Sequence, residues 1–135
     1  MTEPIELIEE ALSVYLTGNA GVAAKIGSRL YPLTIPVDSA LPAAAYLVIT
    51  TIGDETHDGP SGMVEKSIQI TIDADTYKAA KFTAKALRQA LDGHTADMSG
   101  IKIFCVTWTN EYDGYAQQQN RATVRQDYIV KYQEP

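Results

Sequence analysis

The amino-acid sequence predicts an α+β domain: an antiparallel-rich sheet of about four main strands with two main helices packed on one face. Three observations lead there. Apolar residues recur at steps of three and four near the N-terminus and again over 76–91. Runs that alternate apolar with polar residues, or are apolar at both parities, occupy 43–52, 63–74, 101–110 and 122–132. Polar, turn-forming segments join those runs in consecutive pairs, as hairpins require.

The first helix is predicted over Pro4–Leu16. Thr2 or Glu3 would cap it, and Ile5, Ile8, Leu12 and Tyr15 would form its apolar face. Proline is tolerated in a first helical turn, and the early glutamates favour the positive end of the helix dipole. Gly18-Asn19 should end it. A short helix, Ala20–Ile26, fits between Asn19 as cap and Gly27 as stop. Pro32, Pro36 and Pro42 restrict 30–41 to a short extended piece at an edge or in a loop. Ala43–Ile52 is a strand that asks to be covered on both faces. The segment 53–62, GDETHDGPSG, is turn chemistry throughout. In Met63–Ala74, Val64, Ile68, Ile70 and Ile72 face one way and Glu65, Ser67, Gln69, Thr71 and Asp73 the other. Thr76–Leu91 is a helix whose apolar face is Tyr77, Ala80, Ala84, Leu87 and Leu91, with Asp92-Gly93 as its stop. Ile101–Asn110 and Ala122–Tyr132 are strands joined by a polar turn at 111–120.

The 135 residues suit one domain spanning 1–135, with 45% hydrophobic and 21% charged residues. Eleven Lys and Arg against 17 Asp and Glu give a net charge of -6. That excludes a general nucleic-acid binder, whose affinity rests on cations at phosphates. The single Cys105 excludes a disulfide framework and a cysteine-rich zinc site. The longest apolar run, 43–49, is too short to span a bilayer, so no membrane association is expected. The acidic opening Met1-Thr2-Glu3-Pro4 lacks the basic stretch of a secretory signal, so the expected setting keeps thiols reduced.

Two features point to protein partners. Two helices can cover only one face of the sheet, yet Ile101, Ile103 and Cys105 alternate with Phe104, Val106 and Trp108, which leaves Phe104 and Trp108 as interface candidates. The alternative is that segments 30–42 and 111–120 fold over that face. The second feature is charge. Lys78, Lys81, Lys85 and Arg88 form a basic stripe on the second long helix, and Glu3, Glu6 and Glu10 an acidic one on the first. The stripes either meet across a subunit boundary or are two solvated faces, where each exposed pair is worth at most about 1 kcal/mol.

No catalytic chemistry is legible, and no cofactor or metal is expected. His57 lies among Asp54, Glu55 and Asp58 in a turn segment, without a second His or Cys to complete a metal site. His94 follows a helix stop and reads as a surface residue. Ser61 does not match a nucleophile elbow. Cys105 reads as a packed thiol, since a nucleophile needs a cationic, accessible setting.

Several segments occur in one order: VAAKIGSRLYPLTIP (22–36, containing G-x-R-x-Y-P), LPAAAYLVI (41–49), HDGPSG (57–62), LDG (91–93) and RATVRQDYIVKY (121–132). Together they resemble the tail-completion family of long-tailed bacteriophages and prophages, also described as tail terminators or head-to-tail joining proteins. The resemblance runs from about Ile5 to Tyr132. It implies a non-enzymatic α+β subunit that forms a ring, usually a hexamer, at the top of the tail tube. The implied partners are further copies of itself, the tail-tube protein and the head-tail connector. DNA would pass through the lumen without specific binding. The implied location is the virion tail, reached from the host cytoplasm during assembly. Asp54, His57 and Asp58, at a loop expected to be mobile until it docks, join the interface candidates. The competing readings are a monomeric α+β binding or regulatory module and a small hydrolase built on the His57 loop.

Overall fold

A computed structural model of the chain describes residues 5–56, 59–116 and 121–135, with the backbone alone at 54–56, 59–60 and 115–116. The elements are helices α1 (Ile8–Gly18) and α2 (Ala20–Ile26), strands β1 (Leu30–Pro32), β2 (Ala43–Thr56) and β3 (Gly59–Ala74), helix α3 (Tyr77–Leu91), then β4 (Ile103–Ala116) and β5 (Arg121–Gln133). One five-stranded sheet has the order β1-β2-β3-β5-β4. Only β1 runs parallel to its neighbour, with Leu30 opposite Ala44; the other pairs are antiparallel. As predicted, the proline-rich segment supplies only a short edge strand.

All three helices lie on one face of the sheet. Ile8, Leu12 and Leu16 of α1, Val22 and Ile26 of α2, and Ala80, Ala84, Leu87 and Leu91 of α3 are buried against it. The sheet contributes Ile68, Ile70 and Ile72 of β3, Ile103 and Val106 of β4, and Val124, Tyr128, Val130 and Tyr132 of β5.

α2 and α3 match their predicted ends. The Asn19 side chain accepts hydrogen bonds from the Gly21 and Val22 amides, and the Thr76 hydroxyl from the Ala79 amide. Gly27 stops α2 at φ 58° and ψ -122°, a conformation closed to residues with a Cβ. Tyr77, expected on the apolar face of α3, is exposed instead. It opens the helix, where its ring projects past the end of the core.

The prediction for α1 needs correction. The helix starts at Ile8, with Leu7 at the cap position and no side-chain cap. Glu6 precedes it, and Thr2 and Glu3 lie outside the described residues. What holds its start is tertiary: Glu9 forms an ion pair with Lys66 of β3, and Lys66 also stands 5.9 Å from the Tyr132 ring.

The two expected loops are also shorter than predicted. β2 and β3 stay paired as far as Thr56 opposite Gly59. β4 and β5 stay paired as far as Ala116 opposite Arg121. Turn-forming residues tolerate extended backbone when a partner strand satisfies their amides. At 62 the chain uses glycine for φ 81°, and a Cβ there would collide with the Gln133 side chain. Residues 111–116 therefore extend the sheet and do not fold over it, and 117–120 lie outside the described residues.

Two bulges explain the mixed parity of β4. Its register with β5 shifts between Ile103 and Cys105 and again between Trp108 and Asn110. Each shift inserts one residue and flips the faces beyond it. Ile103, Val106, Trp108, Glu111 and Asp113 consequently share the helix-covered face. Trp108 is thus not on the open face: it packs against the core, with the Arg88 guanidinium 4.7 Å from its ring. Phe104 is the bulged residue, half-buried with Lys102 5.3 Å from its ring. Cys105 pairs with Lys131 on the face opposite Ile103 and is half-buried.

Replacing Asn19 by Ala should destabilise the fold by about 1 kcal/mol, the usual value of an N-cap side chain, because two amides lose their acceptor. Urea unfolding monitored by far-UV circular dichroism reads this directly. An unchanged midpoint would mean that water or α1 packing replaces the cap.

Candidate assembly surfaces

Three surfaces are candidates: the open sheet face, the basic stripe of α3, and the tip of the β2–β3 hairpin.

On the open face, Leu47, Ile49, Ile52 and Tyr112 keep 38, 53, 55 and 40% of their surface exposed. Ile49 shares the phase of Leu47, and the bulge of β2 between Val48 and Thr50 turns Ile52 to this side, opposite Glu65. Only one end of the face is covered. There Leu33, Ile35 and Val37 rise beside Ala45, Leu47 and Arg125, bounding a groove of about 300 Å³. Arg121 holds this segment by donating to the Val37 carbonyl at 2.7 Å, while pairing with Asp73 at 3.4 Å. Thr123 donates to the same Asp73 at 2.9 Å. The rest of the face is polar ground around the apolar residues: Gln69 donates to the Tyr112 hydroxyl at 2.7 Å and sits across from Asp127.

The basic stripe divides in two. Lys81 reaches Glu111 and Asp113 of β4, both at 3.1 Å, and Arg88 reaches Glu111 at 3.5 Å. Glu111 is the hub of this cluster. It also accepts from Gln126 Nε2 at 2.8 Å, which in turn donates to the Ala84 carbonyl at 2.8 Å. The buried Tyr128 hydroxyl donates to Gln126 Oε1 at 2.9 Å. Burial, then the Glu111 charge, raises the Tyr128 pKa far above the ordinary phenol value, so the hydroxyl stays a donor. Lys78 and Lys85, by contrast, point to solvent.

At the rim of the cluster, Asp113 accepts from the Tyr77 hydroxyl at 2.8 Å. That bond and the one from Lys81 hold the Asp113 carboxyl below the usual carboxylate range. The same bonds from Asp113 and Glu111 raise the Lys81 ammonium. For Lys66, burial pulls the ammonium down, but the hydrogen bond and charge of Glu9 carry it above the ordinary value. Sequence reasoning singles out neither Lys66 with Glu9 nor Glu111 with Gln126. A lone lysine at position 66, in the apolar phase of a strand, is the available signal.

Of the hairpin-tip candidates, Asp54 lies in β2 with only its backbone described, and His57 and Asp58 lie outside the described residues. His94, expected at the surface, instead packs against Tyr15 with ring centroids 4.5 Å apart, and its Nε2 is buried. Among the described residues no three of His, Cys, Asp and Glu gather as metal ligands, and no helix is long and apolar enough to cross a membrane.

The family model described as Tail completion protein gp17 matches residues 10–133. The chain belongs to the tail completion protein gp17 family. It is therefore a structural, non-enzymatic component of a phage-type virion tail. Among solved structures, a chain of the "Virion of native gene transfer agent (GTA) particle" superposes with a TM-score of 0.76, at 16% identity, covering 93% of both chains. At that identity the likeness concerns the fold. A search of curated proteins finds no match.

Glu111→Ala should destabilise the subunit by roughly 2–3 kcal/mol, since Lys81, Arg88 and Gln126 all lose their charged acceptor. Lys85→Ala should stay within about 0.5 kcal/mol, as for an isolated surface change. Chemical denaturation of the two variants compares them. Asp113 has a depressed folded pKa, so its contribution is present above the unfolded carboxylate value of about 4 and lost as pH falls through the folded one. Thermal scans from neutral to acid pH should therefore show a shallower acid limb for Asp113→Asn than for the parent.

Proposed function

We propose that this tail completion protein forms a closed ring, in the simplest case a hexamer, on the end of the tail tube, terminates the tube and joins it to the head connector. The observation that carries this reading is the open sheet face. A family member whose sheet is packed on one side, and exposes Leu47, Ile49, Ile52 and Tyr112 on the other, has a surface suited to burial in an assembly. The partners in this reading are other copies of the chain, the tail-tube protein and the connector.

Charge is compatible with a conduit. A net charge of -6 per subunit multiplies around a ring, and a lumen lined with carboxylates would repel DNA phosphates in passage. The β2–β3 ribbon supports a docking role for the hairpin tip. Its strands run past the end of β5, so residues 55–56 and 59–60 stand beyond the neighbouring strand.

Electron microscopy of the purified protein with tail tubes should show rings at tube ends, and solution mass at high concentration should exceed that of a monomer. Monomers alone, with tubes present, would favour the binding-module alternative. Ile49→Asp combined with Ile52→Asp should leave the circular dichroism spectrum unchanged and reduce tube capping at least tenfold. Capping at the parental level would show that the open face is not buried in the assembly.

A further inference from the structure

The outer surfaces of α1 and α3 carry opposite patterns of the same period. On α1 and its cap, Leu7, Glu10 and Val14 stand at steps of three and four; on α3, Lys78, Phe82 and Lys85 stand at steps of four and three. Each triplet is therefore one stripe along its helix. The apolar members are exposed, Leu7 by 61%, Val14 by 51% and Phe82 by 48%. Lys78 and, from α2, Lys25 stand over the Phe82 ring at 5.6 and 5.4 Å. An aromatic ring framed by ammonium groups is thus presented on the surface of an acidic protein.

The charges on these stripes form no ion pair among the described residues. Lys81 and Arg88 are engaged by Glu111 and Asp113, whereas Lys25, Lys78 and Lys85 have no carboxylate partner among the described residues. Glu10 likewise has no cation partner among them, in contrast to its neighbour Glu9 on Lys66. The patterns also fit by length. With Leu7 or Val14 seated on the Phe82 ring, Glu10 falls one helical turn away, and a lysine stands one turn from Phe82 on either side.

We propose that the α1 stripe of one copy docks on the α3 stripe of the next, an apolar contact on Phe82 flanked by Glu10 with Lys85. The occupant is a second copy because an acidic and apolar stripe of matching period is present on this chain. Two different patches meeting head to tail propagate, and they close into a ring when the rotation per copy permits. This contact rests on the ring reading above and gives it its lateral joint, distinct from the open sheet face.

The test is charge exchange, read by native mass spectrometry and by electron microscopy on tail tubes. Glu10→Lys and Lys85→Glu should each weaken subunit association at least tenfold, with melting temperature and circular dichroism unchanged. The double variant Glu10→Lys/Lys85→Glu should recover association, and so should a mixture of the two single variants. Phe82→Ala should weaken it without recovery by either exchange. Single variants that assemble like the parent, or a double variant and mixture that both stay dissociated, would overturn the contact and leave the ring itself standing. A parent chain that remains monomeric on tubes would overturn the ring reading and this joint with it.

Discussion

Two hairpins, β2–β3 and β4–β5, would each be marginal in water, because a two-stranded ribbon has too little apolar face to stand alone. The antiparallel pairing of β3 with β5, from Met63 opposite Gln133 to Ala74 opposite Ala122, makes them one sheet. That pairing brings Ile68, Ile70 and Ile72 beside Val124, Tyr128 and Val130. The resulting apolar strip is what all three helices cover. Because the contact joins distant parts of the chain, local propensity contributes little to it, and its stability comes from the burial it creates.

Polar groups then specify how the helices sit on that strip. The second bulge of β4 returns the strand to the phase of Ile103, so Glu111 shares the helix-covered face with Val106 and Trp108. Once there it needs partners, since a carboxylate left unpaired in a half-buried site is costly. Lys81 and Arg88 of α3 and Gln126 of β5 supply them. Lys66 and Glu9 do the same for α1. Both α1 and α3 are therefore registered on the sheet by charge pairs at the edge of an otherwise apolar contact. Such pairs add less to stability than the buried side chains, but they penalise any sliding that would separate the charges.

Covering one face leaves apolar residues exposed on the other. Among the described residues the second face is closed at the end crossed by Leu33–Val37, and the remainder presents apolar residues set among Gln69, Asp127 and their neighbours. This mixture suits a surface that must be soluble before assembly and buried after it. The α3 stripe is likewise split: Lys81 and Arg88 pair with β4, whereas Lys78 and Lys85 are exposed.

Local chemistry is enough for much of this. The ends of α2 and α3, the edge strand among prolines, the apolar phase of β3 and the pairing of strands into hairpins result from capping, proline and periodicity, all of which act over a few residues. The family resemblance is legible for the same reason, since short segments in fixed order carry it. Only the tertiary structure decided the rest. The start of α1 lies at Ile8 without a side-chain cap, and Glu9 in its first turn pairs with Lys66, far away in sequence. Relative to Ile103, alternation misassigns the faces of Cys105, Val106 and Trp108, because the bulge at Phe104 is invisible to a count of parity and inverts the residues beyond it. Segments 53–56 and 111–116 are strands despite their turn-forming composition, since a long partner strand satisfies their backbone better than water does. Which lysines are free cannot be read from spacing alone, because that depends on where β4 places Glu111 and Asp113.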